Sequence, residues 1–246
     1  MEEYLKSVFI KPDNENIKIW RFMGVPKYLS LLDNQDLYFS SATKMDDNFE
    51  GILPKGNVES QNIQYDKMGF SPADKKLARE NSDNVKKMCL VNCWHMNDYE
   101  SDTMWGKYVK DDVGVVIQST FKKFESIFSE NPDVRIGIIR YIDFDTEKIP
   151  EDNFYHVFLH KRKQFTGDQE LRAITRYKTD SNPVSEEELD SITGRSVKIN
   201  LNQLIEKIYV SPTSPSWFLE LIKSITIQFG ITAPVEESSL AKKPDY

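Results

Sequence analysis

Between residues 88 and 94 the chain reads Met-Cys-Leu-Val-Asn-Cys-Trp, apolar at every position but Asn92. So short a run without polar alternation predicts a central strand covered on both faces. Ile19-Trp20-Arg21-Phe22 and Leu37-Tyr38-Phe39-Ser40 read as further short strands. Pro26 starts an amphipathic helix over 27–32, where its missing N–H costs nothing. Ser71-Pro72-Ala73-Asp74 is a helix-start signature, and the largely charged residues after it predict an exposed helix or insertion. The rest of the pattern predicts helices over 102–109, 121–128, 154–163 and 201–206, strands over 114–118, 135–141, 170–176, 196–199 and 207–210, and a terminal amphipathic helix over 215–229.

Strands are too many for a regular βαβ alternation, so the expected class is α+β, with a central, mostly antiparallel or mixed β-sheet flanked by helices. No repeat and no Gly/Ser- or Pro-rich linker divides the chain. Residues 1–18 are polar and are expected to be a flexible N-terminal segment, leaving 19–246 as a single α+β domain.

Composition narrows the function classes. Of 246 residues, 39% are hydrophobic and 12% aromatic, enough for one sizeable core. The net charge of −7 repels a polyanion at long range, which disfavours non-specific nucleic-acid binding and leaves room for a local basic pocket. Lys161-Arg162-Lys163 and Lys122-Lys123 are short and read as solvated helix faces. No apolar run reaches the ~20 residues of a membrane span. The acidic Met1-Glu2-Glu3 start lacks the features of a signal peptide, so a cytoplasmic protein with no membrane partner is expected. Cys89 and Cys93 fall in one predicted strand, roughly 13 Å apart, too far for a disulfide, and read as reduced core thiols. With His95 they lack the second ligand pair of a zinc site, so no metal is expected.

Four clusters can carry chemistry. Arg21 points away from its neighbours Trp20 and Phe22 on a strand, and its guanidinium can take a phosphate, a carboxylate or an internal ion pair. Asp46-Asp47 with Glu50 can hold a divalent cation or cap a turn. Cys93-Trp94-His95 leads to Ser101, Met104, Trp105 and Tyr108, which share one helical face and read either as core or as a wall against a planar ligand. Lys161-Arg162 and Phe165 precede Asp168, Glu170 and Arg172, which share a face of an extended chain; a ligand, an ion-pair ladder or solvent must take up those charges.

Together with Trp20-Arg21-Phe22-Met23, Leu37-Tyr38-Phe39-Ser40, Phe49-Glu50-Gly51, Glu170-Leu171-Arg172 and Val210-Ser211-Pro212, these clusters resemble the bacterial family called domain of unknown function 2971, over about residues 20 to 240. That resemblance implies an intracellular protein and brings no activity with it. A second resemblance is to ADP-ribosyltransferases, whose pattern is an Arg or His on the first strand, a Ser or Tyr region, and a final Glu. Arg21, then Ser40-Ser41 or Ser101 with Tyr108, then Asp168-x-Glu170 fill those roles, with Asp168 standing where Glu or Gln is usual.

The second resemblance implies NAD as a substrate, with no tightly bound cofactor. Arg21 would pair with its pyrophosphate, and Tyr108 or Trp105 would stack on nicotinamide. Glu170 would hold the ribose hydroxyl and stabilise an oxocarbenium-like charge, with Asp168 orienting or deprotonating the acceptor. Ser40, Ser101, His95 and Arg162 complete the expected binding set. Such a protein would serve as a toxin or anti-phage defence effector. Two other classes stay open. One is a metal-dependent phosphodiesterase or nuclease using Asp46, Asp47, Glu50 or Asp168 and Glu170, with Arg172 or Lys161 facing phosphate. The other is a non-catalytic ligand-sensing or protein-binding module.

Overall fold

The computed structural model describes residues 2–109, 113–178 and 184–244. Its strands are β1 (Lys18–Gly24), β2 (Asp36–Ser41), β3 (Cys89–Met96), β4 (Gly114–Thr120), β5 (Arg135–Ile138) and β6 (Arg140–Ile142), followed by β7 (His160–Arg162), β8 (Glu170–Arg176), β9 (Gly194–Lys198), β10 (Lys207–Val210) and β11 (Val235–Glu237). The helices are α1 (Glu2–Val8), α2 (Val25–Asn34), α3 (Lys55–Lys67), α4 (Pro72–Met88), α5 (Asp102–Tyr108), α6 (Phe121–Ser126), α7 (Glu186–Ser191), α8 (Leu201–Leu204) and α9 (Ser216–Gln228).

Among the described residues, nine strands form one sheet in the order β11-β10-β4-β1-β3-β2-β9, with β8 also on β3 and β5 beyond it. All neighbours are antiparallel except β10 and β11, and a separate parallel pair joins β6 to β7. The fold is therefore α+β, as the strand-rich pattern predicts. β3 lies at its centre. Leu90 and Trp94 face the main core with Ile19, Phe39, Ile117 and Leu171, under α2, α6 and α9. Cys89 and Val91 face the opposite side, with Phe158, Leu159 and Ile174. An alternating strand buried on both faces has no polar side to show, which accounts for its unbroken apolar run.

Three expectations are corrected. The first 18 residues contain α1, and Val8 and Phe9 are buried in the second core, while the Ile138 N–H donates to the Ile10 carbonyl at 2.9 Å. A few apolar residues suffice to dock a segment whose overall composition is polar. The predicted helix over 154–163 is a 3₁₀ turn (Phe154–Phe158) followed by β7. Its carbonyls are diverted, Phe158 to the Arg172 guanidinium and Leu159 to the Arg140 N–H, so an α-helical ladder cannot propagate. Lys161 accordingly lies buried on a strand rather than on a solvated helix face. The predicted strand over 135–141 breaks at Ile139, where the chain leaves β8 and joins β7.

Candidate functional site

β8 occupies one edge of β3, from Cys89↔Arg176 to His95↔Glu170. The other edge changes partner: β2 pairs at Leu90 and Val91, and β1 at His95 and Met96. Between those points, beside Asn92, Cys93 and Trp94, β1 and β2 part and the ladder is open. Side chains supply the missing hydrogen bonds there. The Asn92 amide donates to the Tyr38 carbonyl at 2.9 Å, and the Arg21 guanidinium donates to the Cys93 carbonyl at 3.1 Å. The Trp94 indole donates to Asn92 Oδ1 at 2.8 Å and so fixes the bridging amide.

The split opens into a cavity of about 650 Å³, walled by apolar side chains that include Trp20, Phe22, Leu37, Trp94 and Met104. Strand alternation sends Trp20 and Phe22 into a cluster with Met104, Trp105 and Val116, and turns Arg21 the other way. Its guanidinium lies 5.9 Å from the centroid of the Trp94 ring. Burial pulls its pKa down, with Cys93 and Tyr108 partly opposing, and an arginine stays charged regardless. Among the described residues no carboxylate forms an ion pair with it, nor with Lys27 or Lys44, which also line the cleft. The cleft thus holds positive charge to offer an anion.

The acidic side of the cleft is the end of a chain of alternating charges. Glu50 takes Arg172 in a two-pronged contact, Nη1 at 2.5 Å and Nη2 at 3.1 Å. Arg172 Nε reaches Glu170 Oε1 at 2.6 Å, Lys161 Nζ bridges Glu170 at 2.8 Å and Asp168 at 3.1 Å, and Lys107 closes on Asp168 at 2.8 Å. Side-chain exposure rises along it from 0% at Glu50 to 36% at Lys107. Three anions and three cations cancel, which makes so much buried charge tolerable. Burial pushes the Glu170 carboxyl pKa up, but the charges of Arg172 and Lys161 outweigh it and hold the value at about 2. For Lys161, burial pulls down and Glu170 more than restores it, so the ammonium is firmly charged.

His95 faces Glu170 across the ladder, and its ring lies edge-on to Phe22. Its Nδ1 is 2.8 Å from the Asp168 carbonyl. A carbonyl only accepts, so Nδ1 carries the proton and Nε2 the lone pair. Nε2 is buried without a hydrogen-bond partner. Burial, the largest influence, pulls the imidazole pKa down, so the ring is neutral.

Of the residues expected at a site, Arg21, Ser40, His95, Tyr108, Asp168 and Glu170 all line this cleft. Tyr108 is 45% exposed, yet desolvation, and then the nearby Cys93, Glu170 and Asp168, push its phenol pKa up, leaving the hydroxyl protonated. Ser101, Trp105 and Arg162 are not among the lining residues. Ser101 caps α5 by accepting from the Met104 N–H. Trp105 is buried behind Phe22, ring centroids 5.0 Å apart, and its indole donates to Glu100 at 3.2 Å. Arg162 pairs with Asp47 at 2.7 Å and stacks 4.0 Å from the centroid of Phe49. The loop carboxylates scatter likewise: Asp47 goes to Arg162, Glu50 to Arg172, and Asp46 to the cleft rim. Among the described residues no group of three or more His, Cys, Asp or Glu is gathered as metal ligands.

Residues that the sequence reading passed over include Lys27, Lys44 and Asn92. The two lysines are ordinary in spacing and come to line one cleft only in the fold. Asn92 had a signal: a lone polar residue in a doubly buried strand must find partners. No protein-family model matches this chain, and no curated protein matches it.

Proposed function

We propose that this protein is an ADP-ribosyltransferase-like protein that uses NAD as its substrate. The observation that carries the reading is the meeting of Arg21, Tyr108 and Glu170, from three distant parts of the chain, in one cleft. An arginine with no acidic partner among the described residues suits a pyrophosphate, and Lys27 and Lys44 add charge at the rim. The apolar walls suit planar rings, with Tyr108 bordering nicotinamide.

Glu170 is ionised and held rigidly by Arg172 and Lys161. A carboxylate offers about four acceptor positions, so those contacts leave room for a ribose hydroxyl. As the bond from the ribose to nicotinamide breaks, nicotinamide leaves with the bonding electrons and the sugar gains positive charge beside Glu170. The acceptor then bonds to that carbon and loses its proton to water, with Asp168 beside Glu170 orienting it.

One observation favours a second reading, a ligand-sensing module. Glu170 is already neutralised by two cations, which weakens its field on a developing positive charge. Melting curves and nicotinamide release separate the two. NAD, and not magnesium alone, raises the melting temperature in both. Free nicotinamide accumulates only if the protein is a transferase, and magnesium-dependent stabilisation with no response to NAD would return the metal-dependent phosphodiesterase.

A further inference from the structure

Among the described residues two buried side-chain nitrogens lack a hydrogen-bond partner, Nε2 of His95, a residue that lines the cleft, and Nε of Arg162, a residue that does not. His95 is 3% exposed, and Nε2 is buried and unpartnered. Its Nδ1 is committed to the Asp168 carbonyl, which fixes both tautomer and ring orientation. A buried lone pair without a donor is unfavourable, because the hydration it loses is not replaced. The ring stands between Phe22 and the end of the cleft that holds Asp168 and Glu170. The groups there are mismatched to an anion, because a neutral imidazole presents a lone pair and not a proton. They match a neutral N–H donor on a flat ligand.

We infer that His95 is a specificity-determining residue that accepts a hydrogen bond from the carboxamide N–H of the nicotinamide ring. This assignment rests on the NAD reading above. It divides the work of the cleft: Arg21 takes the anionic middle of the dinucleotide, and His95 reads the amide at its end. It also predicts which dinucleotides are refused. The 3-acetylpyridine analogue of NAD has a methyl group in place of the amide nitrogen and cannot donate. The nicotinic acid analogue carries a carboxylate, whose oxygens would face the Nε2 lone pair.

The experiment is calorimetric titration of the full chain with NAD, its two analogues and ADP-ribose. NAD should bind about tenfold to a hundredfold more tightly than the acetylpyridine analogue, the cost of leaving one buried polar group unpaired. The acid analogue should be as weak or weaker, despite its extra attraction to Arg21. In His95→Ala the preference for NAD over the acetylpyridine analogue should vanish, and His95→Gln, which keeps an acceptor near Nε2, should recover part of it. The comparison in the unaltered protein stands even if a variant does not fold. Equal binding of NAD and the acetylpyridine analogue would overturn the His95 assignment and leave the NAD reading intact. No heat with any of the four would overturn both.

Discussion

Arg172 Nε and Glu170 Oε1 lie 2.6 Å apart on the same face of β8, two residues apart in the chain, with side chains 0% and 6% exposed. Removing the charge of Glu170 leaves Lys161 with Asp168 and Arg172 with Glu50, each short of one counter-charge. Glu170→Gln should therefore lose about 3–5 kcal/mol of stability, as when one partner of a buried pair is removed. Urea denaturation measures it. A variant as stable as its parent would mean that the pair contributes little to the fold.

The same carboxylate sets an acid limit. Its pKa is about 2 in the folded chain against an ordinary 4.5, so folding favours the ionised form. A depressed folded pKa contributes stability that is complete above pH 4.5 and is lost as the pH falls toward 2. The stability gap between the parent and Glu170→Gln should thus narrow steadily through that window. A constant gap from pH 6 to pH 3 would contradict the assignment.

Arg21 should behave in the opposite way. It has no carboxylate partner among the described residues and one hydrogen bond, to the Cys93 carbonyl. Arg21→Ala should cost the fold about 1 kcal/mol while weakening NAD at least tenfold, the worth of a charge-assisted contact. Paired melting curves and titrations test this. A large loss of stability with unchanged affinity would make Arg21 structural.

Trp94 and Trp105 are 2% and 4% exposed, and truncating either to alanine should cost about 3–5 kcal/mol. Only Trp94 lines the cleft and lies under the Arg21 guanidinium. Trp94→Ala should therefore also weaken NAD binding, while the folded fraction of Trp105→Ala should bind nearly normally. Chemical denaturation and titration of each variant check both halves.

These results mark where sequence is a good guide. Strands β3, β8 and β10 could be read because each carries its own signal, an apolar or alternating run between turns. The residues 154–163 could not, because what denies them a helix is the Arg172 guanidinium on the Phe158 carbonyl, supplied from 14 residues away. The same holds in the cleft. Arg21 stood out because it is a charge between two aromatic rings. Ser101, Trp105 and Tyr108 share one helical spacing, but only the position of β1 decides that Tyr108 meets the cavity and Trp105 meets Phe22. Lys27 and Lys44 acquire meaning only from where the sheet divides.

The change of partner along β3 has a mechanical consequence. β1 is laced to β4 at every residue from Lys18 to Gly24, whereas β2 is laced to β3 only at Ser40 and Ser41. Backbone hydrogen bonding therefore ties β2 and β9 to the remaining strands at one end only, like a door on a single hinge. A molecule lodged in the gap, touching β1 on one side and β2 on the other, stands in for the rungs that the sheet does not have. Occupancy and sheet cohesion are then the same free energy seen from two sides, and the amide protons of β2 and β9 are where a bound ligand slows exchange most.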